Sequence, residues 1–548
     1  MQNHQQGNRL SWGDTVFLHL EREGMPLSVA CVSVLEGEIQ FDDCLQFIES
    51  KLPLIPRLVK RVVAPPLNIG LPSWEYDPNF DIRNHVREVT LKHGTDTELK
   101  ALAGKIVSTV LDRQHPLWDI TLVHGLKGKR TGFILRLHHC MADGIAGVGL
   151  MGKLFDTSPV APPLPKKKIR FRVPPPRDAI NSLLDGVVSS YGDFVKRILS
   201  AWTDLLDMAE RAAANGGNLA PTDEFSRLLP EITAFTERIR FNVNYRGPQK
   251  IAWADIPLEQ VKAVRQTCGA SVNDVILALV TATIRRYQEM HGERVKGRLL
   301  RMMVPVNLRG SDSSGELGNR ISLVPVTIPL DIRNPLRLLV AVHQRTEFLK
   351  RSHAAELVSL AGGMIGMLPT AMQAVAGQVL SQLPITPFNL VCTNVPGPQY
   401  PLYLMGHKMV RWYPYVPVGG EMTVNCAILS YDGTVYFGFS GDVHAAPDLR
   451  RLEALLKLSF EELREASGVT PRHKGEKKVR AKIQEVKPQR KSEKKVPAKT
   501  QDVSKPAPEP PTTVRVSIPL TVPPPPVKLA QAPRPPTDEK NVPAQMIA

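Results

Sequence analysis

The sequence predicts an α/β protein built as two domains on either side of a proline-rich crossover. Three observations carry this. At 548 residues the chain is far longer than one compact core usually holds. Strand-like and helix-like stretches alternate both before and after residues 159–177. That intervening run holds seven prolines, which exclude a regular helix or a central strand. The expected division is an N-terminal domain over 1–158, a linker over 159–178, a helical segment with a C-terminal domain over 179–469, and a tail over 470–548. Each domain is expected to be a mixed sheet flanked by helices.

Taken in order, residues 28–35 have the β-branched content of a strand and 41–52 read as a helix. In 96–111, Leu99, Leu102, Ile106 and Val110 fall on one helical face. Residues 118–123 and 132–138 read as strands, the second alternating Phe133, Leu135 and Leu137 against Ile134 and Arg136. A helix is expected after His139, with Asp143 near its start and Ile145, Val148, Leu150 and Met151 as its apolar content. Beyond the linker, 179–236 read as helical, 258–267 and 271–291 as helices, and 302–306 and 322–328 as strands. Residues 422–440 read as a hairpin, because Asp432-Gly433 suits the positive φ of a tight turn. An amphipathic helix over 448–466, built on Leu449, Leu452, Leu455, Leu456 and Phe460, closes the domain.

Composition narrows the function classes. The formal charge is +16, but residues 472–548 hold 17 Lys and Arg against 7 Asp and Glu, so the excess sits mainly in the tail. The folded body is only mildly basic, and nucleic-acid binding is not expected of it. The tail is rich in Lys, Pro, Ala and Val, which favours disorder with local polyproline II character. Its Lys-rich half, like Lys166, Lys167, Lys168, Arg170 and Arg172 in the linker, suits either solvent or an anionic lipid surface. Between Glu356 and Lys408 no charged residue occurs, but six prolines break the run, so it is expected to form short helices and an extended segment packed on something apolar. The polar N-terminus has no apolar signal core, and the six cysteines show no CxxC spacing. A cytoplasmic protein with reduced thiols, no metal site and no transmembrane helix is expected.

The chemistry concentrates in His138-His139-Cys140-Met141-Ala142-Asp143-Gly144, at a strand-to-helix turn. Adjacent histidines at a strand end project to opposite sides, so one of them faces a given cleft. An imidazole titrates near neutrality and can take a proton from a hydroxyl and return it to a leaving thiolate. A carboxylate at the start of the helix can hold local backbone or an arginine, and Gly144 lets the turn close tightly. No G-x-S-x-G elbow is present for a serine nucleophile.

This run resembles the HHxxxDG motif of the wax ester synthase/diacylglycerol acyltransferase family, within the chloramphenicol acetyltransferase-like superfamily of CoA-dependent acyltransferases. The resemblance extends from about residue 10 to residue 467. Ser11-Trp12-Gly13-Asp14-Thr15-Val16-Phe17-Leu18 is similar to the family's opening block, Pro116-Leu117-Trp118 to its PLW block, and Ser271-Val272-Asn273-Asp274-Val275 to its ND block. Pro305-Val306-Asn307-Leu308-Arg309, Gly318-Asn319 and Asn394-Val395-Pro396-Gly397-Pro398 follow in the family's order.

The resemblance implies two chloramphenicol acetyltransferase-like domains with a substrate tunnel at their interface. It implies direct transfer of a long-chain acyl group from acyl-CoA to the hydroxyl of diacylglycerol, or of a fatty alcohol, with no cofactor beyond the acyl-CoA substrate. His139 is expected as general base, His138 as its support and Asp143 as an architectural residue, with Arg309 as the partner of Asp143. Asn273 and Gly144 are expected at the substrate, although Asn273 is equally read as a polar cap on its helix. Cys140, inside the motif, raises the expectation of sensitivity to thiol reagents. Peripheral attachment to a membrane or lipid inclusion is expected. Competing readings are an acyltransferase for another lipid or polyketide alcohol, and a non-catalytic lipid-surface protein that keeps the fold.

Overall fold

The structure is a computed structural model that describes residues 9–65, 71–160, 236–307, 321–351 and 388–470. The chain divides into two units, Met1–Pro488 and Gln489–Ala548, and every described residue lies in the first. Most of the linker, the helical stretch over 179–235, the uncharged run over 352–387, Arg309 and the tail from 471 lie outside the described residues.

The first half runs α1 (Trp12–Leu20), β1 (Ser28–Glu36), α2 (Phe41–Lys51), β2 (Lys60–Val63), β3 (Ser73–Tyr76), β4 (Val86–Thr90), α3 (Asp96–Val107), β5 (Trp118–Leu126), β6 (Arg130–His138) and α4 (Gly144–Leu154). The second runs β7 (Gln249–Pro257), α5 (Leu258–Cys268), α6 (Val272–Met290), β8 (Leu299–Asn307), β9 (Ile321–Pro329), α7 (Pro335–Arg351), β10 (Leu390–Pro396), β11 (Tyr403–Leu404), β12 (His407–Tyr415), β13 (Val424–Tyr431), β14 (Thr434–Asp442) and α8 (Arg451–Ala466). Local chemistry sets many of these ends. Ser11 and Asp14 form a capping box on α1, as do Thr95 and Glu98 on α3 and Ser271 and Asp274 on α6. Asp432 (φ 40°) and Gly433 (φ 78°) turn β13 into β14, as their sequence predicts.

The strands form two mixed six-stranded sheets, ordered β11-β12-β1-β6-β5-β4 and β7-β14-β13-β10-β8-β9, each with its own apolar core. The first sheet therefore draws two strands from residues 403–415, far beyond the linker. β12 pairs antiparallel with β1, from Ala30 opposite Tyr415 to Leu35 opposite Met409. Its other contacts reach the second sheet: Tyr413 stacks on Trp253 with ring centroids 4.6 Å apart. Gly438 has no side chain because a Cβ there would sit 1.8 Å from the Pro414 carbonyl oxygen. β12 thereby stitches the halves together.

Two sequence expectations fail locally. Val110 is exposed, because α3 ends at Val107 and Ser108 caps it. Arg136, read as the polar side of an alternating strand, is buried, because β6 is central and α3 covers its second face. Its guanidinium donates to both carboxylate oxygens of Asp119 and to the carbonyls of Ile106 and Thr109 at the end of α3. These bonds satisfy the charge that burial would otherwise penalise.

Candidate active site

The histidine pair sits where β6 hands over to α4. Main-chain bonds fix the exit: His138 N–H donates to Leu117 O (2.9 Å), His139 N–H to Leu27 O (3.0 Å) and Met141 N–H to His138 O (2.9 Å). Asp143 then caps α4, its Oδ1 accepting from the Ala146 amide at 2.8 Å. The two rings diverge as alternation requires: His138 is fully buried and His139 is half-buried.

The partners of His138 assign its tautomer. Nδ1 accepts from the Cys140 amide (3.1 Å), so Nε2 carries the proton, 3.3 Å from Glu21 Oε2. Glu21 follows the last turn of α1 and is itself buried. Its other bonds come from the Leu27 amide (2.9 Å) and Arg113 Nη2 (3.2 Å). Burial pushes this carboxyl up, but His138, the Leu27 amide and Arg113 outweigh it and hold it below the ordinary range.

His139 meets a different environment. The phenyl ring of Phe17, on α1, lies against its face. Burial pushes its pKa down to about 4, opposed by a hydrogen bond to its own backbone and reinforced by His138. Nδ1 is enclosed, so Nε2 is the nitrogen left to take a proton. The ring is therefore neutral and able to act as a base at any pH above about 4.

Gly144 abuts the second half of the chain: a Cβ there would lie 2.6 Å from Val395 Cγ2 on β10. Next to Val395, Asn394 donates through Nδ2 to Asn273 Oδ1 at 3.1 Å. The motif and the ND block thus meet across β10. Asn273 is not the helix cap; Ser271 and Asp274 fill that role. Asp274 also accepts from Thr346 Oγ1 (2.7 Å) and pairs with His343 Nδ1 (2.8 Å). Burial raises its carboxyl, and these bonds lower it below the ordinary range. Arg309, the expected partner of Asp143, lies outside the described residues.

Cys140 contradicts one expectation. Its thiol is fully buried, and burial raises its pKa well above the ordinary value, so it is shielded from thiol reagents. Sequence reading also missed Glu21 and gave Phe17 no role of its own. The usable signal was their i, i+4 spacing, which sets both on one face of α1. Among the described residues, no group of three or more His, Cys, Asp or Glu is placed to hold a metal, and no single helix is long and apolar enough to cross a membrane.

Comparison with known proteins covers the same ground. The family model for the wax ester synthase/diacylglycerol acyltransferase catalytic domain matches residues 10–276, and that for the family's C-terminal domain matches residues 317–464. A probable diacylglycerol O-acyltransferase of Mycobacterium tuberculosis, tgs1, is 29% identical over 458 residues, covering 81% of this chain and 93% of the relative. A second from that organism, tgs2, is 27% identical and covers 83% and 98%. Among solved structures, the wax ester synthase/diacylglycerol acyltransferase from Marinobacter aquaeolei VT8 superposes with a TM-score of 0.58 at 22% identity, covering 84% of this chain and all of that one. The first condensation domain of the calcium-dependent antibiotic synthetase gives 0.53 at 14% identity, covering 85% and 97%. The fold is the two-domain chloramphenicol acetyltransferase-like fold expected from the sequence.

Proposed function

Since the chain belongs to the wax ester synthase/diacylglycerol acyltransferase family, we propose that it transfers a long-chain acyl group from acyl-CoA to the hydroxyl of diacylglycerol, giving triacylglycerol. Long-chain fatty alcohol, which also offers a hydroxyl on an apolar body, is the second acceptor and gives wax ester. The observation that carries this reading is the neutral, half-buried His139 ring at the strand-to-helix turn.

His139 takes the acceptor's hydroxyl proton as that oxygen attacks the thioester carbon. The tetrahedral oxyanion collapses, the carbon–sulfur bond breaks, and the proton held by the imidazolium passes to the CoA thiolate. No covalent acyl-enzyme forms. His138 supports the turn, and Asp143 starts the helix behind it. With its carbonyl engaged by Asn394, the Asn273 amide NH2 is the group left to donate to the oxyanion or to orient the acceptor. Gly144 packs against Val395, so the two halves of the chain meet beside this point, and the reading sets the substrate tunnel between them. The apolar substrates call for peripheral attachment to a membrane or lipid inclusion, and the lysines of the tail suit an anionic surface.

The test is incubation of the purified chain with radiolabelled palmitoyl-CoA and either diolein or hexadecanol, with thin-layer separation of the products. Labelled triacylglycerol or wax ester that disappears in His139→Ala is the expected result. Absence of either product from the folded wild-type protein would overturn the reading in favour of another acceptor or a non-catalytic lipid-surface role.

A further inference from the structure

We propose that α1 is a two-point brace for the histidine pair, in which Phe17 and Glu21 are positioning residues for catalysis. The inference rests on the acyl-transfer reading above and deepens it. Phe17 and Glu21 are four residues apart, joined by the Glu21 N–H bond to the Phe17 carbonyl (3.1 Å), and so share one face of the helix end. From that face Phe17 reaches His139, with ring centroids 3.9 Å apart and planes 5° apart. Glu21 reaches His138, with Oε2 3.3 Å from Nε2. The helix and the residue that ends it thus touch both rings of the pair at once.

The two contacts do different work. Nδ1 of His138 accepts the Cys140 amide, so Nε2 carries the proton and points to the Glu21 carboxylate, with Oε2 3.3 Å away. That amide belongs to the turn carrying His139, so the carboxylate fixes the tautomer and the tautomer fixes the turn. Phe17 limits rotation of the His139 ring and offers its π face to the imidazolium that forms as the base takes its proton. Arg113 anchors the brace, donating through Nη2 to the Leu18 carbonyl (2.7 Å) and to Glu21 Oε2.

The experiment compares steady-state kinetics of full-length Phe17→Leu, Phe17→Tyr, Glu21→Gln and His139→Ala with wild type, using palmitoyl-CoA and diolein. Phe17→Leu keeps apolar bulk without a π face and should lower kcat about tenfold, with KM within about twofold. Phe17→Tyr restores the stack and should recover kcat to within about threefold of wild type. Glu21→Gln places an amide NH2 either against His138 and Arg113 or against the Leu27 amide, and should lower kcat by about tenfold or more. Thermal unfolding of each variant separates lost folding from lost positioning; should Glu21→Gln fail to fold, the Phe17 pair decides alone. Wild-type kcat in Phe17→Leu, or equal losses in Phe17→Leu and Phe17→Tyr, would overturn the brace. Inactive wild type, or active His139→Ala, would instead overturn the acyl-transfer reading.

Discussion

Phe17 lies flat on His139, 3.9 Å between ring centres, although 121 positions separate them in the chain. The stack covers one face of the imidazole. Burial keeps this imidazole neutral above about pH 4, the state the proposed base role needs.

Replacing His139 by Ala removes the proposed base. Turnover should fall about 10²–10⁴-fold, the range for a positioned general base, while the thermal midpoint stays close to wild type. Product formation and a melting curve on one preparation check both parts.

The pH dependence follows from the direction of the His139 shift. Folding lowers its pKa from 6.5 to about 4, so the acid limb of kcat/KM should appear near pH 4 rather than 6.5. The unfolded chain binds this proton more readily than the folded one. The stability that follows is complete above pH 6.5 and is lost as pH falls towards 4. Rate and chemical-denaturation profiles between pH 4 and 8 test the two statements separately.

Gly144→Ala should damage the site by contact, since its new Cβ meets Val395 Cγ2 at 2.6 Å. Overpacking of this kind costs about 1–3 kcal/mol and would push α4 away from β10. Combining it with Val395→Ala should restore much of the lost activity and stability. A double-mutant cycle with no coupling would contradict the contact.

Asp119→Ala leaves the Arg136 guanidinium buried without its carboxylate. Breaking a buried pair from one side costs about 3–5 kcal/mol, which denaturant unfolding would register directly.

Cys140 should stay unlabelled by a thiol reagent in the native protein and react fully after unfolding. Its burial and raised pKa act in the same direction, and mass spectrometry of the labelled peptide reads the outcome.

Signals carried by neighbouring residues were legible in the sequence. The Asp432-Gly433 turn, the Ser271 helix start and the His138–Gly144 turn are specified within a few residues and appear where expected. Pairing over distance was not. Residues 407–415 carried no strand reading of their own, and nothing local says that their partner is β1 rather than a nearer strand. Arg136 misled because strand alternation assumes one wet face, which a central strand under a helix lacks. At the site, the motif histidines were readable, whereas Glu21 looked like any polar residue after a short helix. Its meaning comes from His138, which folding alone brings beside it.

The crossing of β12 also bears on the order of biosynthesis. Until residues 407–415 leave the ribosome, β1 has β6 on one side and an open hydrogen-bonding edge on the other. Such an edge invites pairing with the wrong chain, and so long a closure makes the first sheet slow to complete. The N-terminal half is therefore an unfinished body during translation, and residues 1–158 made alone should aggregate rather than fold.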